Sequence, residues 1–388
     1  MKPQLNVLHL ASFEGNVGDN ANHIGTRSKL GVNLDFEVQY TNLEIREFYW
    51  KKRSFDNDFV SLANKHDLVI IGGGNYFELW VPNSFTGTSL DISNTILNKI
   101  TTPILFYSLG CDVGQGVSND NLQKFRQFLD HILGSSKYLV SVRNDGSLGT
   151  IDKYLGKEYA ERIDCVPDGG FFTIVKDFLH PELPNEKNLK TIAINLAGDM
   201  LDVRFNNSEI NSSDILYEEF LQLFGNFLNN LFMDREDARV VFIPHIFRDL
   251  DIISDVLKQV EDIHRRKHIA VAPYLHGSGA QEYIFDLYRK CDLVLGTRFH
   301  ANVCPIGLNT PTIGLVNYPQ IQLLYEELGM PQRTIQVNKR EFDVKLSSFV
   351  NYSLENLECI RHDYSEIQKK LDENLLSFHM KINHWLNT

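Results

Sequence analysis

The sequence predicts an α/β protein of two Rossmann-like domains. Three observations lead there. Short apolar runs alternate with segments of helical period, the alternation pauses once and resumes, and 388 residues are too many for one ordinary core.

The first half supplies apolar, β-branched runs at 5–11, 68–71, 104–108 and 138–142, with a helical period over 121–133. Such βαβ alternation implies a parallel sheet covered on both faces. The pattern stops at 178–187, where two prolines among mixed charges read as a linker. That divides the chain into domains at 1–177 and 188–388. The second half repeats the alternation. Strands are expected at 191–195, 240–243, 268–271, 292–295 and 312–316, and helices at 215–231 and 251–264. A terminal helix is expected over 354–385, with mixed charges that suit packing better than a membrane surface.

Composition excludes some classes of function. A formal net charge of −12 argues against a polyanion partner, so nucleic acid is not expected. A small anion remains compatible, because a few cations in one cleft can dominate the local field. No apolar run approaches the roughly 18 residues of a membrane span, and the start lacks the pattern of a signal peptide. A cytoplasmic protein is expected, with peripheral association at the inner membrane face left open. The five cysteines are widely spaced and lack a C-x-x-C pair, so they read as reduced thiols rather than disulfides or a metal site.

Ligands of doubly wound sheets bind at the carboxyl ends of strands, so the polar loops there are the places to search. After the first strand, Gly15-Asn16-Val17-Gly18-Asp19-Asn20 bends tightly into a helix start, where Asn16 and Asp19 either touch substrate or Asp19 simply caps the helix. The run at 68–71 ends in Gly72-Gly73-Gly74-Asn75, which lets a ligand or another backbone approach closely. Arg143 follows the run at 138–142, placed either to hold a carboxylate or phosphate or to pair with Asp145 or Asp168. His245 follows Val240-Val241-Phe242-Ile243-Pro244, a position from which an imidazole can move protons near neutral pH. Asp249-Leu250-Asp251 matches a D-x-D metal pattern, yet it opens a helix, where acids are expected for capping.

The fullest constellation is Gly296-Thr297-Arg298-Phe299-His300, a buried strand turning into a helix. Such a turn aims N–H groups of Gly296 and Thr297 at an anion, Arg298 adds a fixed charge, and His300 can give or take a proton.

Taken in order, Gly15-Asn16-Val17-Gly18-Asp19, Gly72-Gly73-Gly74, Ser141-Val142-Arg143, Pro244-His245 and Gly296-Thr297-Arg298-Phe299-His300-Ala301 resemble the polysaccharide pyruvyltransferase family. The resemblance implies a GT-B-like fold, two Rossmann-like domains facing across a cleft, with the first on the acceptor side and the second on the donor side. It implies transfer of a pyruvyl group from phosphoenolpyruvate to hydroxyls of a glycan or lipid-linked saccharide, forming a ketal and releasing phosphate, with no metal and no cofactor. Arg143 and Arg298 would then hold the donor, His300 would be the general acid and His245 a supporting donor or base. The family often has a lysine shortly after the segment at 314–318, where this chain has Pro319-Gln320. Two other readings fit the same residues: a GT-B glycosyltransferase using a nucleotide-sugar donor, and a catalytically silent glycan-binding protein.

Overall fold

A computed structural model describes residues 2–183, 188–206, 212–277 and 279–388. Fourteen strands occur among them: β1 (Gln4–Ala11), β2 (Glu37–Glu44), β3 (Leu68–Gly72), β4 (Phe77–Glu78), β5 (Ile104–Leu109), β6 (Cys111–Asp112), β7 (Tyr138–Arg143), β8 (Asp164–Val166), β9 (Lys190–Asn195), β10 (Ala238–Phe242), β11 (Ile269–Val271), β12 (Leu293–Gly296), β13 (Thr312–Val316) and β14 (Thr334–Gln336). The chain groups into two compact units. One comprises residues 1–14, 22–169 and 369–388, the other 15–21 and 170–368.

The first unit holds a parallel sheet in the order β2-β1-β3-β5-β7-β8. Strands β3, β5 and β7 are buried at every position because helices cover both faces, which is why their sequences are unbroken apolar runs. Leu8, Val69, Phe106, Val140 and Phe128 belong to one continuous core. The strand order reverses between β1 and β3, and the Gly72-Gly73-Gly74 turn leaves the sheet there. The end of the chain belongs to this unit. His379 bonds Tyr107 at 2.9 Å, Trp385 donates to the Ser136 carbonyl at 2.6 Å, and Lys381 pairs with Asp164 at 2.6 Å. The helix expected over 354–385 spans Leu357–Leu386, and its portion from residue 369 leaves the second unit for the first.

The second unit repeats the plan in the order β11-β10-β9-β12-β13-β14, again all parallel. Its reversal lies between β9 and β12, so the ends of Asn195 and Gly296 mark the place where such sheets take ligands. The expected linker lies partly within this unit: Phe178 N–H and His180 Nε2 both contact Asp286 Oδ2, at 2.9 and 2.8 Å, and Tyr283 bonds Glu182. Positions 184–187 of that linker fall outside the described residues. The helix expected over 251–264 is two helices, Asp249–Gln259 and Asp262–His268. Among the described residues no helix is long and apolar enough to cross a membrane.

Candidate active site

In the second unit the candidate residues gather at the sheet reversal. Strand β12 ends at Gly296, and the following turn is fastened to the end of β9. Asn195 accepts from the Thr297 N–H through its carbonyl and from the Arg298 N–H through Oδ1, both at 3.1 Å. Thr297 Oγ1 accepts from Ala197 N–H at 2.7 Å, and Asn302 Nδ2 donates to the carbonyls of Gly296 and Arg298. The Thr297 amide, expected to face an anion, is bonded to Asn195, as is that of Arg298, so the positive charge of this turn comes from the Arg298 side chain.

That charge is Arg298. Its guanidinium forks onto Asp249, Nε reaching Oδ2 at 2.8 Å and Nη2 bonding Oδ1, while Nη2 also lies 3.0 Å from Asp199 Oδ1. Burial disfavours the Arg298 charge, but the two carboxylates outweigh it and raise the guanidinium above its ordinary range. Burial likewise pushes both carboxyls up, and Arg298 overcomes it, holding Asp199 and Asp249 below the usual carboxylate range. Asp249 also accepts the N–H groups of Gly198, His245 and Ile246 at 3.0, 2.9 and 3.2 Å. Its carboxylate is thus the hub joining three loops, a stronger role than the helix capping expected of it. Asp251, its partner in the D-x-D pattern, is exposed while Asp249 is fully buried.

His300 opens the helix His300–Gly307, and its Nδ1 lies 3.9 Å from Asp19 Oδ1. Gly18 lies against the ring: a Cβ there would stand 2.6 Å from His300 Cβ and Nδ1, so no larger residue fits without moving the imidazole. Asn16, not Asp19, closes the start of the helix Val17–Asn33, since its Oδ1 accepts from Gly18 N–H at 2.9 Å. Asp19 stands beside His300 instead. The loop at 15–21 and the turn at 296–300 form one cluster inside the second unit.

His245 departs from the proton carrier expected at neutral pH. It is 1% exposed, its Nε2 lies 2.9 Å from the Tyr288 hydroxyl, and Phe285 and Tyr288 meet its ring edge to face. Burial pushes the imidazole down to about 3, with Arg298 and His300 adding to it against Asp249. It stands neutral and braces the loop that Asp249 organises. The unfolded chain takes up its proton near pH 6.5 while the folded one does so near pH 3, so this stabilisation is complete above pH 6.5 and is lost as pH falls toward 3. Between pH 7 and pH 5 urea denaturation of the wild type is expected to lose about 2 kcal/mol more than that of His245→Asn. Equal losses would contradict a neutral buried imidazole.

The first unit holds the other candidates. Arg143 is 3% exposed, with Nε 2.5 Å from Asp145 Oδ2 and Nη1 3.8 Å from Asp168 Oδ2. Asn22 Nδ2 donates to Asp168 at 2.8 Å, and Ser147 donates to Asp145. The guanidinium is therefore anchored by acids, as the structural alternative for Arg143 required. Gly73 takes a left-handed backbone (φ 80), which glycine alone adopts freely. The Gly74 carbonyl accepts from Gly110 N–H at 2.9 Å, and Asn75 Nδ2 donates to Asp112 at 3.2 Å. The glycine turn thus lets two strand ends close on each other.

Sequence reasoning missed Asp199, Arg204, Asn195 and Glu78. Glu78 pairs with Asp112 across β4 and β6; burial, then the Asp112 charge, push its carboxyl up to about 7. A carboxyl poised there can exchange a proton at neutral pH. Asn195 and Glu78 end strands, Asp199 lies in the loop after β9 and Arg204 ends the short helix that follows, but none sits in a recognisable motif.

A family model described as polysaccharide pyruvyl transferase matches residues 16–318. No curated protein matches the chain. Several solved structures are similar. S. aureus MnaA, in a co-structure with UDP, is 10% identical with a TM-score of 0.55, covering 94% of this chain and 91% of that one. Anabaena HepE, in complex with UDP and glucose, is 12% identical with a TM-score of 0.55, covering 99% and 100%. Neisseria meningitidis UDP-GlcNAc 2-epimerase, bound to UDP-GlcNAc, is 10% identical with a TM-score of 0.52, covering 96% and 100%. At such identities the likeness is one of fold, that of the GT-B glycosyltransferases and epimerases.

Proposed function

The chain belongs to the polysaccharide pyruvyl transferase family, and we propose that it transfers a pyruvyl group from phosphoenolpyruvate to hydroxyls of a glycan or glycan precursor, closing a ketal and releasing phosphate. The observation that supports this best is the cluster of Arg298 and His300 at one sheet reversal. A fixed cation stands two residues from an imidazole whose other neighbour is the Asp19 carboxylate.

In this reading the donor's anionic groups bind on the Arg298 side, and His300, held by Asp19 and Gly18, delivers a proton to the enol methylene. The adjacent carbon becomes electrophilic, and an acceptor hydroxyl bonds to it while giving up its proton. Phosphate departs with the electron pair of its C–O bond, and a second hydroxyl closes the ketal. The first unit takes the acceptor, with Arg143, Asn75 and the glycine turn shaping that side. His245, its imidazole pushed down to about 3, is a poor acceptor for the hydroxyl proton at neutral pH. No step assigned to these residues calls on a metal or cofactor.

A second reading is a glycosyltransferase with a nucleotide-sugar donor, favoured by the UDP and UDP-GlcNAc held in solved structures of the same fold and by Gln320 standing where the family often has lysine. The two separate by ligand-induced stabilisation. Phosphoenolpyruvate at 100 times its Kd is expected to stabilise the native state by about 2.7 kcal/mol, seen as a rise in Tm, with no rise from UDP. A rise with UDP alone would replace the first reading by the second, and a rise with neither would favour a silent glycan-binding protein.

A further inference from the structure

Arg298 is not the only guanidinium at the β9–β12 reversal. Arg204, at the end of the short helix Leu201–Arg204, is 7% exposed and stands beside it. One carboxylate oxygen, Asp199 Oδ1, lies between the two, 3.0 Å from Arg298 Nη2 and 3.5 Å from Arg204 Nη2. We infer that the Arg204–Arg298 pair is an oxyanion subsite, and that Asp199 occupies it as an intramolecular stand-in which a phosphate or carboxylate of the donor displaces. The inference rests on the reading of Arg298 as a donor residue.

The two acids around Arg298 are built differently. Asp249 is fully buried and fixed by the fork of Arg298 and three backbone amides. The Asp199 side chain retains 27% of its exposure. It sits in the loop between β9 and the helix Leu201–Arg204, followed by Met200 in a left-handed backbone (φ 55). Asp199 can therefore turn toward solvent, whereas Asp249 cannot.

Neither arginine depends on the Asp199 carboxylate for its place. Arg298 keeps its two bonds to Asp249. Arg204 keeps the bond from Nε to the Asp199 backbone carbonyl at 2.9 Å, the bond from Nη1 to Asn317 Oδ1 at 2.9 Å, and a position 5.5 Å over the Tyr318 ring. Withdrawing Asp199 removes one negative charge from between the two guanidinium groups. An incoming oxyanion replaces that charge and inherits the Nη2 donors of both guanidinium groups, which now face Asp199 Oδ1. The subsite also lies where sheets of this strand order take ligands. Its charge comes from an element about one hundred residues before Arg298, and Asn317 and Tyr318, which hold Arg204, directly precede the segment where Gln320 stands.

The test is calorimetric titration of the full chain with inorganic phosphate, pyruvate and phosphoenolpyruvate. If a resident carboxylate competes with the ligand, Asp199→Asn should bind at least one of these oxyanions about tenfold tighter than wild type, and Arg204→Gln about tenfold weaker. Asp199→Ser repeats the first arm in case the amide keeps the old bonds, thermal unfolding confirms that each variant is folded, and Asp251→Asn, which removes an exposed charge on the same unit, should bind as wild type does. Phosphate against pyruvate tells which donor group the subsite takes. Binding by Asp199→Asn and Asp199→Ser no tighter than wild type, or tightening equalled by Asp251→Asn, would overturn the inference. If phosphate tightens while phosphoenolpyruvate neither binds nor reacts, the subsite stands and the pyruvyl donor falls. If phosphoenolpyruvate yields the ketal with Asp199→Asn affinities unchanged, the donor stands and the subsite falls.

Discussion

Arg298→Ala is expected to abolish transfer and to destabilise the second unit by roughly 3–5 kcal/mol, because it strands the buried Asp249 carboxylate without its partner. The two losses come from one side chain and can be separated. In Arg298→Ala/Asp249→Asn no buried charge is left alone, so urea denaturation should return most of the stability, while transfer stays absent because the cation is gone. The asymmetry follows from what the pair does: Asp249 collects the amides of Gly198, His245 and Ile246, and Arg298 neutralises the charge that makes this possible. An Arg298→Ala protein as stable as wild type would mean that Asp249 is not held as a buried ion pair. A double variant that regains activity would remove Arg298 from the reaction.

His300→Asn is expected to lower the rate of phosphate release from phosphoenolpyruvate in the presence of acceptor by about 10²–10⁴-fold, the usual contribution of a positioned proton donor. Its stability should stay near that of wild type, since the ring's charged neighbour, Asp19 at 3.9 Å, is 16% exposed and can be solvated. Undiminished release by a folded His300→Asn protein would pass the acid's role to another group. The contrast with Arg298 is the useful part: one residue carries structure and chemistry together, the other chemistry alone.

Much of the fold was legible because the central strands of each sheet are buried on both faces and so appear as apolar runs. The edges were not. β2 is mostly polar and largely exposed, and β8 and β14 are three residues each, too short for any periodicity to register, although the equally short β11 was expected at 268–271. In the site, the turn at 296–300 was legible because glycine, arginine and histidine stand close together there. Asp249 was misread, since an acid opening a helix is ordinarily a cap. Asp199 and Arg204 carried no signal: Asp199 lies 99 residues from Arg298, and the two meet only because β9 and β12 pair in parallel at the reversal. His245 was visible, but burial against Phe285 and Tyr288, which sets its proton affinity, is a property of packing that spacing does not encode.

The most direct test of the central claim is mass spectrometry of candidate glycans and lipid-linked saccharides incubated with phosphoenolpyruvate and this protein. One acceptor is expected to gain a pyruvyl group as a ketal, one phosphate to appear per ketal formed, and both to form about 10²–10⁴-fold more slowly with His300→Asn. Sugar transferred from a nucleotide-sugar donor by the same preparation, with no pyruvyl mass on any acceptor, would contradict it.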